Sequence, residues 1–314
     1  MSAKDSLSKK FLGDNTRFAD LLNFVFHNGQ QIVNPENLTT LDTASVMSIV
    51  DKEGKTTYKQ RQRDVVKLLS VVSSKKETFV VFGVENQSEV DYTAPIRCLL
   101  MDIMNYVDQI EIIAKKHRSN KEFETSAEFL SGFHKDDKLY PVITVVIYWG
   151  TNEWNGARSL EEMFDVSNEA YRRFIPKYEL NLLTPKDIQD SDFDKFSTDL
   201  GLVLKFLKSA DSKQAIQELV RNDPNYRSIP WDAAEMIRLF GNFTFEYTKR
   251  EENVDMCKAL EDWAAESRAE GEEKGILETL ADLVKKGLIT SSQAAEQAKM
   301  SEEEFKSKAG LATV

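Results

Sequence analysis

Residues 64–88, which read DVVKLLSVVSSKKETFVVFGVENQS, decide the fold. Two β-prone runs, 64–72 and 77–85, lie on either side of the polar residues 73–76, and this pattern predicts a β-hairpin. A third β-prone run at 44–50 ends at the turn-forming sequence DKEG. Together the three runs predict a meander of three strands.

The register of the hairpin determines which polar side chains meet. A two-residue turn at positions 74 and 75 would set Asp64 directly opposite Glu85, and the alternation of side chains along a strand puts Gln87 on the same face as Glu85. Two carboxylates so placed, with Cβ atoms about 5 Å apart, can bind one hard cation. A slip of one residue would remove the pairing, and the alternative is that these side chains line the solvated face of a sheet. Gly83, one repeat earlier, indicates a close backbone approach, a bulge or incidental packing.

Helical and strand patterns alternate around the hairpin. Apolar residues at helical spacing predict an amphipathic helix over 17–28 and a long core-facing helix over 94–116. The unbroken β-branched and aromatic run at 141–149 is typical of a strand buried on both faces, and 177–183 is a shorter strand candidate. This order predicts an α/β fold in which helices flank a central mixed sheet.

Strand patterns largely stop beyond residue 190. We therefore predict a first domain over 1–190 and an all-helical C-terminal region over 191–314. The charged stretch 251–274 is typical of a solvated or partner-facing helix. The final helices have the outline of a helix-turn-helix, but the acidic run at 302–304 favours a helical cap over a DNA-reading motif.

The composition excludes several classes of protein. Apolar residues make up 41% of the chain and charged residues 30%, which is typical of a soluble globular protein. The longest apolar stretch is far shorter than the roughly 20 residues of a membrane helix, and the N-terminus has no apolar signal core, so we predict a cytoplasmic protein with no membrane partner. His27, His117 and His134 have neither partner cysteines nor an HExxH arrangement, which argues against a zinc site and against histidine-based catalysis. Carboxylates are expected to carry any chemistry.

Several short motifs occur in a fairly specific order and spacing. They are FADLLN at 18–23, RDVVK at 63–67, GVENQS at 83–88, APIR at 94–97, and MD at 101–102 followed by Tyr106. With the apolar run at 141–150, these motifs resemble the recombination-promoting nuclease and putative transposase family, which belongs to the PD-(D/E)XK nucleases. The resemblance covers roughly residues 14–190 and implies a restriction-endonuclease-like core.

The resemblance also implies a reacting centre. Asp64 is then the metal-binding aspartate and Glu85 the second carboxylate, and together they would hold Mg²⁺, for which Mn²⁺ could substitute. Gln87 stands where the wider superfamily has lysine, and glutamine offers no positive charge to the developing phosphorane. Asp20 on the first helix could assist the metal, although an acid near a helix start needs no such role. Arg97 could contact a phosphate or pair with a neighbouring acid.

The charge distribution bears on nucleic-acid binding. A net charge of −11 is unfavourable for a nucleic-acid enzyme, because Lys and Arg must neutralise phosphates. Basic residues do concentrate near Asp64, and we predict that Arg61, Arg63 and Lys67 contact nucleic acid. The resemblance, with this local basic surface, implies a Mg²⁺-dependent DNA endonuclease that acts in recombination or transposition-like strand exchange.

Two alternatives remain open. One is a catalytically weak or inactive nuclease-fold protein that binds DNA or a partner without cutting, and the other is a structural assembly module. The acidic helices of the C-terminal region suggest a homo-oligomer surface.

Overall fold

The structure is a computed structural model that describes residues 2–41, 44–50, 56–73, 76–165, 169–244 and 252–311. Its strands are β1 (Leu38–Thr40), β2 (Ala44–Val50), β3 (Thr56–Gln62), β4 (Val65–Ser73), β5 (Lys76–Gln87), β6 (Val142–Tyr148), β7 (Asn181–Leu183), β8 (Ile229–Pro230) and β9 (Asn253–Val254). Its helices are α1 (Ala3–Gly13), α2 (Asn15–His27), α3 (Ala94–Asn120), α4 (Ser126–Ser131), α5 (Glu169–Arg172), α6 (Asp199–Ser209), α7 (Lys213–Asn222), α8 (Trp231–Phe240), α9 (Met256–Lys285), α10 (Ser291–Gln297) and α11 (Glu302–Lys308).

A mixed sheet organises the first part of the chain. Its five strands lie in the order β1-β4-β5-β6-β7. β4 pairs antiparallel with β1 and β5, whereas β6 pairs parallel with β5 and β7. Parallel neighbours require a crossover connection, and α3 lies in the one between β5 and β6. The predicted α/β class with a central mixed sheet is therefore confirmed, and the predicted helices over 17–28 and 94–116 are α2 and α3.

The predicted three-stranded meander is wrong in one respect. β2 pairs with β3 in a separate two-stranded ladder that runs from Ala44 and Gln62 to Val50 and Thr56. Residues 56–62 read TTYKQRQ, which has no apolar alternation by which to recognise a strand. Residues 56–62 are extended because β3 forms backbone hydrogen bonds with β2, and not because of an apolar pattern.

Helix α1 packs against β4, β5 and α8. Phe11 on α1 is fully buried and meets the ring of Trp149 edge-on at 6.3 Å between centroids, and Trp149 in turn lies 5.8 Å from the ring of Phe240 on α8. Burying a side chain such as Phe11 contributes about 2 kcal/mol, so α1 is firmly fixed beside the hairpin. This position brings polar residues of α1 close to the start of β4.

The described chain divides into two compact units. The first extends to Phe243 and includes the short β8–β9 ladder, and the second comprises Thr244 and the residues from Asp255 onward. Helices α6 and α8 belong to the first unit, because Arg17 of α2 donates hydrogen bonds of 2.7 Å to Asp199 of α6 and 2.5 Å to Asp232 of α8. The compact units therefore meet in the chain near residues 243–255, and the domain boundary near residue 190 stays a prediction.

The second unit is helical. The last turns of α9 pack with α10 and α11 around a small core formed by Leu277, Ala294, Ala295 and Phe305. A capping box of Thr290 and Gln293 starts α10. In the parts of the chain that the structure describes, no helix is both long enough and apolar enough to cross a membrane.

Candidate functional site

The β4–β5 hairpin has the register that the two-residue turn predicts. Val65 pairs with Val84, and the same register extended by one residue beyond the ladder sets Asp64, which directly precedes β4, opposite Glu85. Oδ2 of Asp64 accepts a 2.7 Å hydrogen bond from the backbone N–H of Asn86. The hydrogen bond holds the Asp64 carboxylate against β5, one residue beyond Glu85.

Glu85 is buried, with 4% of its surface exposed. Burial, followed by the negative charge of Asp64, raises the pKa of Glu85 to about 7, although Arg97 and Arg63 act in the opposite direction. Within the described residues, Oε1 of Glu85 has no hydrogen-bond partner. A buried carboxylate oxygen without a partner is costly, so this position favours a bound cation or proton donor.

Lys9 of α1 supplies a positive charge to the site. Its ammonium lies 3.0 Å from Oδ1 of Asp64 and 3.2 Å from a carboxylate oxygen of Asp5, one helical turn earlier. Burial opposes the charge, but the hydrogen bond and the charge of Asp64 together raise the pKa of Lys9 above its usual value. Sequence reasoning missed Lys9, because no pattern in the sequence indicates that α1 packs beside the hairpin.

Arg97, in the first turn of α3, supplies a second positive charge. Its Nη1 lies 2.9 Å from Asp91, and its Nη2 lies 3.7 Å from Oε2 of Glu85. Asp91 is itself held by the backbone N–H and the hydroxyl of Thr93, at 2.8 and 2.7 Å. Nε and Nη2 of Arg97 are buried and have no hydrogen-bond partner in the described chain. Arg97 therefore pairs with neighbouring acids and keeps donors available for a further acceptor.

Gln87 ends β5 on the same face as Glu85 and is partly exposed. Its carbonyl oxygen accepts a 2.8 Å hydrogen bond from the backbone N–H of Trp149. Asn86 points to the other face, where its Oδ1 accepts a 2.8 Å hydrogen bond from the indole Nε1 of Trp149. Trp149 thus fixes the end of β5 to the end of β6.

Arg63 lies inside the protein. Its guanidinium donates 2.6 Å hydrogen bonds to Thr144 of β6 and to Asp102 of α3. Asp102 also accepts a 2.7 Å hydrogen bond from the hydroxyl of Tyr178. A Cβ atom added at Gly83 would lie 1.8 Å from Nη1 of Arg63, so glycine at this position permits the close approach of the guanidinium to β5.

Lys67 is also buried, with no exposed surface. Its ammonium donates a 2.6 Å hydrogen bond to the carbonyl oxygen of Gly13 and a second hydrogen bond to the side chain of Asn15. The burial of Arg63 and Lys67 is at odds with the predicted phosphate contacts, because a phosphate-binding cation must be accessible. Arg61 lies in β3, and its side chain is outside the described part of the structure.

Asp20 is buried away from solvent, and its carboxylate is fully used in hydrogen bonds. It accepts from the backbone N–H and hydroxyl of Ser197 at 2.8 and 2.9 Å, and from those of Thr198 at 3.0 and 2.6 Å. These contacts tie α2 to the start of α6. They account for Asp20 as a structural residue, and it is not brought into the set formed by Asp64 and Glu85.

The fold and the site together define an α/β protein in which the carboxylates of Asp64 and Glu85 lie beside each other at the β4–β5 hairpin. Lys9 contacts the first carboxylate and Arg97 lies beside the second. The family model described as "Putative transposase, YhgA-like" matches residues 2–225, which include α1, the sheet and α3. The chain therefore belongs to this putative transposase family. No curated protein and no solved structure gives a significant match to the chain.

Proposed function

We propose that this protein is a divalent-metal-dependent DNA endonuclease whose sheet and flanking helices form a restriction-endonuclease-like core. The observation that carries the proposal is the juxtaposition of Asp64 with the buried Glu85, whose Oε1 has no hydrogen-bond partner among the described residues. Membership of a putative transposase family supports phosphodiester chemistry in DNA strand exchange.

The donor set fits Mg²⁺. Asp64 and Glu85 offer hard carboxylate oxygens, and Mg²⁺ commonly takes one or two protein carboxylates and completes its shell with water and substrate phosphate. A bound Mg²⁺, or Mn²⁺ in its place, would polarise a phosphodiester oxygen and lower the pKa of a bound water.

Lys9 and Arg97 supply positive charge on either side of the two carboxylates. Lys9 contacts Asp64 directly, so it provides an ammonium at a site where Gln87 provides none. Nη2 and Nε of Arg97 have no hydrogen-bond acceptor among the described residues and could donate to a phosphate oxygen, while Nη1 binds Asp91. Gln87, one side-chain repeat beyond Glu85, is placed to orient a water molecule or a phosphate. These groups would together stabilise negative charge that develops on phosphorus.

A specific observation favours a second candidate function. The ammonium of Lys9 lies on Oδ1 of Asp64, the same oxygen that a metal would use, and Oδ2 already accepts from Asn86. If Lys9 is not displaced, it occupies the metal-facing oxygen of Asp64, and the protein would bind DNA or assemble without cutting. With either candidate function, a homo-oligomer formed through the acidic C-terminal helices stays a prediction.

The proposal is tested by nicking of supercoiled plasmid with Mg²⁺, Mn²⁺ or EDTA. Wild type should nick with either metal and not with EDTA, and Asp64→Ala and Glu85→Gln should each abolish nicking. Glu89→Gln is the matched control, because Glu89 is an exposed acid just beyond β5. Loss of nicking in the control, or equal nicking in Asp64→Ala, would refute the assignment.

Lys9 is tested separately. Lys9→Met should lower the rate of nicking, whereas Lys10→Met, an exposed lysine on the same helix, should not. Plasmid binding without nicking in wild type, with every metal tried, would favour the second candidate function.

A further inference from the structure

The segment that follows α3 brings together side chains of the types that bind transition metals. His117 lies in the last turn of α3, and His134 and Asp137 lie in the loop between α4 and β6. One ligand atom from each of these three residues lies within 4.8 Å of the other two. The sequence argued against a zinc site because its histidines have neither partner cysteines nor an HExxH arrangement, but the fold sets the rings of His117 and His134 3.8 Å apart between centroids.

The local backbone explains how the segment folds back on α3. Lys121 ends α3 in the left-handed region, with φ 56°, and Gly132 ends α4 in the same way, with φ 70°. A capping box of Thr125 and Glu128 starts α4. The helix ends thus reverse the chain twice, and the loop at residues 134–137 returns to the last turn of α3.

Several contacts fix the orientation of the cluster. Oδ2 of Asp137 accepts a 2.7 Å hydrogen bond from the backbone N–H of His134. Nε2 of His117 lies 3.0 and 3.3 Å from the two oxygens of Asp137, while Nδ1 of His117 lies 2.7 Å from Glu122. Both nitrogens of one imidazole therefore face carboxylates, although a neutral ring has only one N–H to donate.

The spacing between His117 and Asp137 is that of neighbouring ligands in a tetrahedral metal site. Zinc bonds of about 2.0–2.1 Å at tetrahedral angles separate neighbouring ligand atoms by about 3.3 Å, close to the distances between His117 and Asp137. Nε2 of His134 is buried and has no hydrogen-bond partner in the described residues. Glu122 on Nδ1 of His117 is the outer carboxylate that commonly orients a metal-binding histidine and sets its tautomer.

We propose that His117, His134 and Asp137 bind one Zn²⁺ ion, with a water molecule in the fourth position and Glu122 orienting His117. Two imidazoles and one carboxylate favour a borderline ion such as Zn²⁺ over Mg²⁺, which prefers oxygen ligands. The bound ion would cross-link the last turn of α3 to the loop that leads into β6. This site is separate from Asp64 and Glu85 and does not depend on the proposed nuclease function.

The test is metal retention by the full chain. Protein stripped with a chelator is loaded with Zn²⁺ in the presence of excess Mg²⁺, dialysed and analysed for bound zinc, and the same protein is titrated with Co²⁺ to record the visible absorption of a four-coordinate site. Wild type should retain one equivalent of zinc and show the cobalt absorption. His134→Gln and Asp137→Asn should lose both signals. Glu122→Gln should weaken zinc binding about 10- to 100-fold, because it changes only the orienting contact.

The chain offers matched controls. His27→Gln changes the third histidine, at the end of α2, and should leave zinc binding intact; Asp64→Ala should also leave it intact. Far-UV circular dichroism of His134→Gln separates loss of a ligand from loss of the fold, and Asp137→Asn provides a second ligand variant. Zinc retention that is absent in folded wild type, or that is unchanged in folded His134→Gln and Asp137→Asn, would overturn the proposal.

Discussion

Gly83→Ala is predicted to destabilise the first unit by acting on Arg63. The added Cβ would lie 1.8 Å from Nη1 of Arg63, whereas ordinary contact begins at 3.4 Å, so the guanidinium must retreat by about 1.6 Å (3.4 minus 1.8). Its hydrogen bonds to Thr144 and Asp102 are each 2.6 Å long, and a movement of this size breaks at least one of them.

The magnitude follows from the burial of the ion pair. The side chains of Arg63 and Asp102 are 6% and 7% exposed, so solvent does little to compensate a displaced charge. Breaking a buried ion pair while leaving one charge in place costs about 3–5 kcal/mol. We therefore expect Gly83→Ala to lower the free energy of unfolding by an amount in this range, measured by urea denaturation with tryptophan fluorescence.

A double-mutant cycle tests the cause. In an Arg63→Ala background the clash is absent, so Gly83→Ala should cost much less, and the two substitutions should show a coupling of at least about 1 kcal/mol. Gly13→Ala is the control, since a Cβ there meets no atom within 4 Å, and it should change stability by less than about 1 kcal/mol. Additive effects of Gly83→Ala and Arg63→Ala would refute the reasoning.

Three further predictions concern single side chains. Asp20→Ala should lower the free energy of unfolding by about 2–3 kcal/mol, because it removes a buried carboxylate that accepts four hydrogen bonds from partly buried donors at the start of α6; urea denaturation measures this. On the proposed function, Gln87→Lys should preserve or raise plasmid nicking and Gln87→Leu should reduce it. Burial lowers the pKa of Lys67 below 10.5, with Asp14 acting in the opposite direction. The unfolded chain therefore binds the Lys67 proton more tightly than the folded chain does. The contribution of Lys67 to the free energy of unfolding should thus rise with pH in the alkaline range up to 10.5. Urea denaturation of wild type and Lys67→Met at several pH values in that range measures this contribution.

Each of the three has a contrary result. Wild-type stability in Asp20→Ala would show that the four hydrogen bonds contribute nothing. Wild-type nicking in both Gln87 variants would place that side chain away from the phosphate. A stability difference between wild type and Lys67→Met that stays constant as the pH rises would show that the folded and unfolded states titrate Lys67 alike.

The hairpin and the long helix were predictable because local rules determine them. The polar residues between two β-prone runs indicate the turn, and the turn fixes the register, so that Val65 meets Val84 and Asp64 follows opposite Glu85. Helix α3 follows from its apolar spacing and from Pro95 in its first turn. These features depend on neighbours within a few residues.

Other features were not predictable, because they depend on packing between distant segments. The charged side chains of Arg63 and Lys67 resemble surface residues in the sequence, yet their partners come from α3, β6 and the residues around the end of α1. The His117 and His134 rings meet because two left-handed helix ends reverse the chain, and spacing alone shows neither reversal. Lys9 contacts Asp64 only because α1 packs beside the hairpin.

The charges around the candidate site relate metal binding to DNA binding. Lys9 and Arg97 bring two positive charges to Asp64 and Glu85, but Lys9 also pairs with Asp5 and Arg97 also pairs with Asp91, so the two carboxylates are only partly neutralised. On the proposed function, Lys9 and Arg97 weaken the attraction of the carboxylates for a divalent cation, and DNA phosphate would add negative charge beside the metal. Each ligand then strengthens the binding of the other by the same factor, because linkage is reciprocal. In the free protein, Lys9 and Arg97 repel the metal. Once DNA is bound, the same two side chains would pair with its phosphate, so the substrate itself would complete the metal site.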